Sequence, residues 1–222
     1  GLSYAYTIFG FDHLNGLSSF QEGLFYVQDI SSMMVAEYAA PKEGDHCIDV
    51  CAAPGGKAMH ALAKLHGKGS VQARDLTENK VSMIEENIER CAGAADTIEV
   101  LVWDARILDP QAVEKADVVI ADLPCSGLGV IGRKSDIKYR MTPEQVADIA
   151  ALQREILSVV WQYVKPGGIL MYSTCTLTKA ENQDNRDWFL ENSPFTLLEE
   201  KELLPSAETD GFYMIKCRRN KA

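Results

Sequence analysis

The chain has 222 residues, 46% of them apolar, with a formal net charge of −10 and six cysteines. That length suits a single sizeable core that needs no disulfide or metal to stabilise it, and no apolar run approaches the ~18 residues of a membrane-spanning helix. The cysteines at 47, 51, 91, 125, 175 and 217 form neither a C-x-x-C pair nor a zinc-spaced cluster, and the opening residues do not spell a signal peptide, so the expectation is a cytoplasmic protein with free thiols and no metal.

Residues 1–40 hold a loop rich in Gly and Phe, GLSSFQEGLFYVQDISS, and then a helix through Met34 and Tyr38. They read as an N-terminal extension packed on a catalytic domain that spans 41–222. From residue 45 onward, β-branched runs at 45–50, 69–74, 98–103, 117–121 and 168–173 alternate with helical stretches. That alternation predicts an α/β fold with a parallel sheet covered by helices on both faces. The best-marked helix opens at Thr142-Pro143-Glu144-Gln145, a capping box with Pro at the first helical position. It carries Val146, Ile149, Ala150, Ile156, Leu157, Val160 and Val164 at helical spacing and is expected to end at Lys165-Pro166-Gly167-Gly168. A further helix at 179–192 and extended segments at 195–199 and 212–217 predict a terminal hairpin at one sheet edge.

The first strand runs into Cys51-Ala52-Ala53-Pro54-Gly55-Gly56-Lys57 and then a helix. In an open α/β sheet this carboxyl edge is where a ligand lies, and glycines there let backbone approach it. The spelling is not G-x-G-x-x-G, which serves a pyrophosphate, so a dinucleotide is disfavoured. S-adenosyl-L-methionine has no phosphate and needs a tight turn for its amino-acid part and acids for its sugar and base. Asp49, Asp75, Asp104 and Asp122 close the first four strands in register. Asp75 is placed to accept two ribose hydroxyls, and Asp104 to reach an adenine amine.

The fourth strand leads into Asp122-Leu123-Pro124-Cys125-Ser126-Gly127 and the fifth into Ser173-Thr174-Cys175-Thr176. Neighbouring parallel strands bring both cysteines to one sheet edge, beside the expected cofactor, whereas Cys47, Cys91 and Cys217 read as inert apolar residues. A thiolate and a methyl sulfonium together suit methylation of cytosine C5. Addition of a thiolate at C6 makes C5 nucleophilic and splits one hard step into easier ones. Asp122, if protonated, can donate at N3, a role that needs a raised carboxyl pKa. Cys125 is placed to help remove the C5 hydrogen afterwards. Local positive charge such as Lys57, or a loop dipole, is expected to activate Cys175.

These residues resemble the Sun-type family of RNA cytosine-5 methyltransferases, through FYVQDISSMMVA at 25–36, DVCAAPGGK at 49–57, ARDLTENK at 73–80, WDAR at 103–106, ADLPCSGLG at 121–129, RKSDIKYR at 133–140, YSTCT at 172–176 and DGFYMIKC at 210–217. The resemblance implies the class I, Rossmann-like methyltransferase fold, a mostly parallel seven-stranded sheet with one antiparallel strand near the edge. It implies that Cys51, Ala52, Ala53, Pro54, Gly55, Gly56, Lys57, Asp75, Asp104 and Asp122 contact S-adenosyl-L-methionine, that Cys175 is the nucleophile and that Cys125 aids product release. The family's usual Thr after GGK is Ala58 here. The resemblance further implies an RNA substrate, small-subunit rRNA with tRNA as the main rival, and an N-terminal RNA-binding domain that this chain lacks.

Net acidity argues against a broad nucleic-acid surface, yet Arg133, Lys134, Lys138 and Arg140 form a local basic run that can hold a phosphate backbone. Phe20, Phe25 or Tyr139 can stack on a flanking base, although ordinary burial preferences favour reading them as core or rim residues. The expected state is a monomer. A non-catalytic RNA-binding or assembly module with a retained cofactor pocket is the competing class, which the intact thiols and acids disfavour.

Overall fold

Strands that carry apolar residues on both faces need helices above and below, and the chain supplies them in alternation. In the computed structural model, which describes residues 2–91, 97–207 and 209–221, the elements run α1 (Ser18–Gln21), α2 (Ile30–Ala39), β1 (His46–Asp49), α3 (Gly56–Lys64), β2 (Ser70–Asp75), α4 (Glu78–Arg90), β3 (Ile98–Val102), β4 (Ala116–Asp122), α5 (Ile137–Arg140), α6 (Pro143–Val160), β5 (Val164–Thr174), α7 (Gln183–Asn192), β6 (Phe195–Leu203) and β7 (Phe212–Arg219). The seven strands form one sheet in the order β3-β2-β1-β4-β5-β7-β6. β1 to β5 pair in parallel, and β7 runs antiparallel to both β5 and β6. Among the described residues no helix is long and apolar enough to cross a membrane.

Alternation along β4 divides the core. Val119 and Ala121 point to one face with Leu157 and Val160 of α6, Phe189 of α7, and Leu170 and Tyr172 of β5. Val118 and Ile120 point to the other with Met59 and Leu62 of α3, Ile84 of α4, and Val35 and Ala39 of α2. α2 therefore belongs to the same core as the sheet. Its start is set by Asp29, whose side chain accepts from the Ser31 amide at 2.9 Å. The capping box read from the sequence is present at α6, with Thr142 and Gln145 each accepting from the other's amide.

Several boundaries differ from the sequence reading. α6 stops at Val160, and Trp161–Tyr163 form a 3-10 turn before β5 begins at Val164. Val160 and Val164 are both fully buried, so their helical spacing is real although they sit on different elements. The Pro166-Gly167 stretch is absorbed as an irregularity inside β5. Ala116 pairs with Val164 and Val118 with Ile169, and Gly167 takes φ +85°. α7 begins at Gln183 rather than 179, because Glu181 and Asn182 turn inward and are fully buried. The expected hairpin is present and longer than predicted, with β6 extending through the charged Glu199, Glu200, Lys201 and Glu202, which protect the sheet edge.

Candidate active site

The strand order reverses between β1 and β4, and in such sheets the crevice beyond the carboxyl ends at that point takes the ligand. The turn after β1 is pinned to both neighbouring strands. The Val50 amide donates to the Ile120 carbonyl at 3.0 Å, the Ala52 amide to the Arg74 carbonyl at 2.9 Å, and the Ala53 amide to Asp75 Oδ2 at 3.0 Å. Gly55 closes the turn at φ +103°, where a β-carbon would stand 3.3 Å from the Ile84 side chain, so glycine is required before α3 starts.

Beneath the turn lies Asp49, 1% exposed, with neither carboxylate oxygen in a hydrogen bond of normal geometry. Burial pushes its pKa up to about 7, against the opposing pull of Lys57. A carboxyl whose folded pKa is raised stabilises the fold fully below its unfolded pKa and loses that contribution as pH rises through the folded value. Asp49→Asn removes the titration. The difference in Tm between Asp49→Asn and the parent chain should therefore move in the variant's favour from about pH 4 to about pH 8. Thermal melts at the two pH values check this, and a difference independent of pH would contradict it.

Beyond the turn, Cys51, Asp75, Leu76, Trp103, Asp104 and Pro124 border a cavity of about 180 Å³. A second cavity of about 190 Å³ is bordered by Gln28, Ser32, Gly56, Lys57 and Asp122, and Cys51 lines both, so they are two halves of one cleft. Asp75 accepts from the Leu76 amide at 2.7 Å and pairs with Lys80 at 2.9 Å. Asp104 is clasped by Arg106, at 2.6 Å between Oδ2 and the guanidinium. That hydrogen bond is the largest of the effects that hold its pKa below the usual carboxylate range. The two acids expected to meet a sugar and a base thus already hold partly exposed cations, which a ligand must share or displace. Trp103 is fixed by its indole bond to the Ile107 carbonyl at 2.8 Å and by the buried Arg74, whose guanidinium lies 5.4 Å from its ring.

At the other half of the cleft, Asp122 is the register partner of Ser173, whose hydroxyl donates to Oδ1 at 2.7 Å. Lys57 comes across from the first turn of α3 to Asp122 Oδ2 at 2.7 Å, and to Ser32 Oγ of α2 at 3.4 Å. Burial opposes the Lys57 charge, but Asp122 outweighs it and raises the lysine pKa. Cys125 and Cys175 stand with their sulfurs 3.2 Å apart, both free thiols. The hydrogen bond from Cys125 is the largest influence on Cys175 and lowers its pKa. Lys57 acts in the same sense, while burial and Asp122 oppose. The same contact, followed by burial, raises Cys125 well above an ordinary thiol. The two sulfurs are thus unequal, Cys175 held below and Cys125 above an ordinary thiol. By contrast, burial pushes Cys47 and Cys217 up to about 12.

Cys51 to Pro54, Gly56, Lys57, Asp75, Asp104 and Asp122 border the two cavities, and Cys125 and Cys175 meet at the ends of the adjoining strands β4 and β5. Asp122 Oδ2 lies 2.7 Å from the Lys57 ammonium, the setting in which its expected role at N3 would operate. Two other expectations are corrected. Arg133 is spent on Asp29 and Asp210 rather than projecting freely. Phe20 and Phe25 pack on each other at 5.6 Å, and Arg90 lies 3.9 Å over Phe20, so these rings fasten the N-terminal loop to α4. Tyr139, 81% exposed, stands beside Lys138, whose ammonium is 4.8 Å from its ring. Gln28, Ser32, Arg74 and Glu181 were not singled out from the sequence. Gln28 and Ser32 lie in the quoted QDISS segment, but nothing in their residue type signals the cleft.

A sequence model of the 16S rRNA methyltransferase RsmB/F family matches residues 36–217. The chain is 39% identical over 208 residues to the ribosomal RNA small subunit methyltransferase B of Vibrio cholerae, covering 89% of this chain and 46% of that protein. It is 37% identical over 213 residues to its Salmonella newport counterpart, covering 91% and 49%. The chain spans about half the length of these curated relatives. Among solved structures it is similar to NSun6 from Pyrococcus horikoshii, determined with the adenosylmethionine analogue SFG, at TM-score 0.87 and 32% identity over 96% of this chain and 57% of that one. A methyltransferase homolog from the same organism superposes at TM-score 0.79 with 28% identity, over 94% and 72% of the two chains. The sheet is thus the Rossmann-like fold of the adenosylmethionine-dependent methyltransferases.

Proposed function

Since the chain belongs to the RsmB/F family of 16S rRNA methyltransferases, we propose that it methylates C5 of a cytosine in small-subunit rRNA through a covalent bond from Cys175 to C6. The observation that carries this reading is the thiol pair, 3.2 Å apart, beside the Lys57–Asp122 ion pair at the strand-order reversal.

The cleft fits S-adenosyl-L-methionine. Its half at Asp75 and Asp104 offers carboxylates for hydroxyls and an amine, with Leu76, Trp103 and Pro124 as apolar walls. The unpartnered Asp49 underlies the turn that would hold the amino-acid part. When bound, the cofactor supplies an electrophilic methyl group. The remaining work belongs to the protein. Cys175 adds to C6, and the C5–C6 π electrons become available at C5. Lys57 donates toward the ring acceptor that gains charge, and Asp122 accepts from the exocyclic amine, a donor–acceptor pair that suits the cytosine edge.

Once the Cys175 sulfur is bonded to carbon, its charge is gone, and with it the main cause of the raised Cys125 pKa. Cys125 can then release its proton to solvent and take the C5 hydrogen, and elimination frees Cys175. One pair thus serves first as nucleophile with donor and later as leaving group with base. Lys134, Lys138, Arg140 and the exposed Tyr139 offer contacts to the RNA backbone and a flanking base. We assign residues 41–222 to the catalytic domain and 1–40 to an extension on it, and the part of the relatives outside this chain is expected to add RNA affinity.

Bisulfite sequencing of total RNA from a strain without the gene, and from that strain with the gene restored, tests the reading. A single 16S cytosine that loses and regains methylation is expected. Loss at a tRNA position would redirect the substrate, and no lost site would favour a binding module.

A further inference from the structure

The two reactive turns follow separate strands, and their connection runs through a residue the chemistry above leaves unused. Glu181, just before α7, is fully buried. Its Oε2 accepts from the Ser126 amide at 2.8 Å and the Gln153 side-chain amide at 3.1 Å. Its Oε1 accepts from the Ser126 hydroxyl at 2.5 Å and the Thr178 hydroxyl at 2.7 Å. Four neutral donors compensate the loss of water around the carboxylate.

Ser126 follows Cys125 and Thr176 follows Cys175, and their hydroxyls meet at 2.8 Å. The Ser126 proton is spent on Glu181, so Thr176 is the donor to Ser126, and a directed chain runs from the nucleophile's turn to the carboxylate. The Glu181 carbonyl accepts from the Tyr172 hydroxyl, and Asn182 holds the Thr174 hydroxyl at 2.6 Å and the Thr176 carbonyl at 3.0 Å. Residues 181 and 182 thereby grip the Cys175 turn on both sides and the Cys125 turn at Ser126.

We propose that Glu181 is a positioning residue that sets the approach of Cys125 to Cys175 and, through that contact, the nucleophilicity of Cys175. The inference deepens the function proposed above and rests on Cys175 being its nucleophile. The thiol contact depends on both turns at once, and the hydrogen bond it makes weakens with misalignment. A group that binds only for stability would leave the Cys175 titration where it is.

The test is the pH dependence of Cys175 alkylation by iodoacetamide in the whole chain, followed by peptide mass spectrometry, for the parent and for Glu181→Gln. Glutamine brings an amide NH2 donor to a position where four groups already donate. The half-reaction pH is expected to rise by about half a unit or more, about threefold less thiolate near neutral pH, with the affinity for S-adenosyl-L-methionine unchanged. Thr176→Val cuts the hydroxyl link while sparing Glu181, should shift the profile in the same direction by less, and decides the matter if Glu181→Gln does not fold. A lower Tm with an unmoved Cys175 profile in the folded variants overturns the proposal. A shifted profile in a chain that methylates no RNA would support the positioning role while removing the proposed function.

Discussion

Cys175→Ala is expected to lower methyl transfer to RNA by about 10⁴-fold or more, the scale seen when a covalent nucleophile is removed. Binding of S-adenosyl-L-methionine should stay within about twofold, because Cys175 does not border that half of the cleft. The reason for so large a loss is chemical rather than steric. Without a bond at C6, C5 remains a poor nucleophile, and neither Lys57 nor Asp122 can supply the missing electrons. The change itself is small, and Cys175 is only partly buried, so the fold should survive. Single-turnover assays with labelled cofactor read the rate, and calorimetry reads the binding. A Cys175→Ala protein with a tenth of the parent rate would be incompatible with the account.

Lys57→Met is expected to cost about 10²- to 10³-fold in kcat, because one substitution removes two effects. It takes away the ammonium 2.7 Å from Asp122, leaving a mostly buried carboxylate without its partner. It also removes a positive charge that helps hold Cys175 below an ordinary thiol. The sign follows directly. A nucleophile with a lowered pKa keeps its thiolate at lower pH, so without Lys57 the acidic limb of the rate profile moves to higher pH. Raising the pH should then recover part of the lost rate in Lys57→Met, and more in proportion than in the parent. A profile of unchanged shape would assign Lys57 to structure alone. The apolar methionine can still lie near Phe212, whose ring is 5.9 Å from the native ammonium, so the protein is expected to fold.

Much of this candidate site is legible in the sequence, because strand ends in a parallel sheet share one edge. The β-branched run at 117–121 marks β4, the capping box at Thr142 marks α6, and from such markers the convergence of Cys125 and Cys175 follows. The boundaries that escaped did so for physical reasons. Val160 and Val164 have the spacing of one helix face, and only the 3-10 turn at Trp161–Tyr163 separates them onto two elements. Glu181 and Asn182 look like solvent-facing helix residues by type, and their burial is a property of the turns they bind. Charge runs misled in a similar way. Arg133 belongs to a basic stretch in sequence, but Asp29 and Asp210, remote along the chain, claim it in space. Asp122 was legible as a strand-end acid, but not its ion pair, since Lys57 reaches the end of β4 from the first turn of α3.

The assignment of roles within the thiol pair is tested most directly by Cys125→Ala incubated with cofactor and substrate RNA, followed by digestion and mass spectrometry of the crosslinked peptide. The account predicts an accumulating RNA adduct, methylated at the base and joined to the peptide that contains Cys175, because attack and transfer proceed while release is blocked. Normal turnover without an adduct, or an adduct that persists when Cys175 is also replaced by alanine, would contradict it.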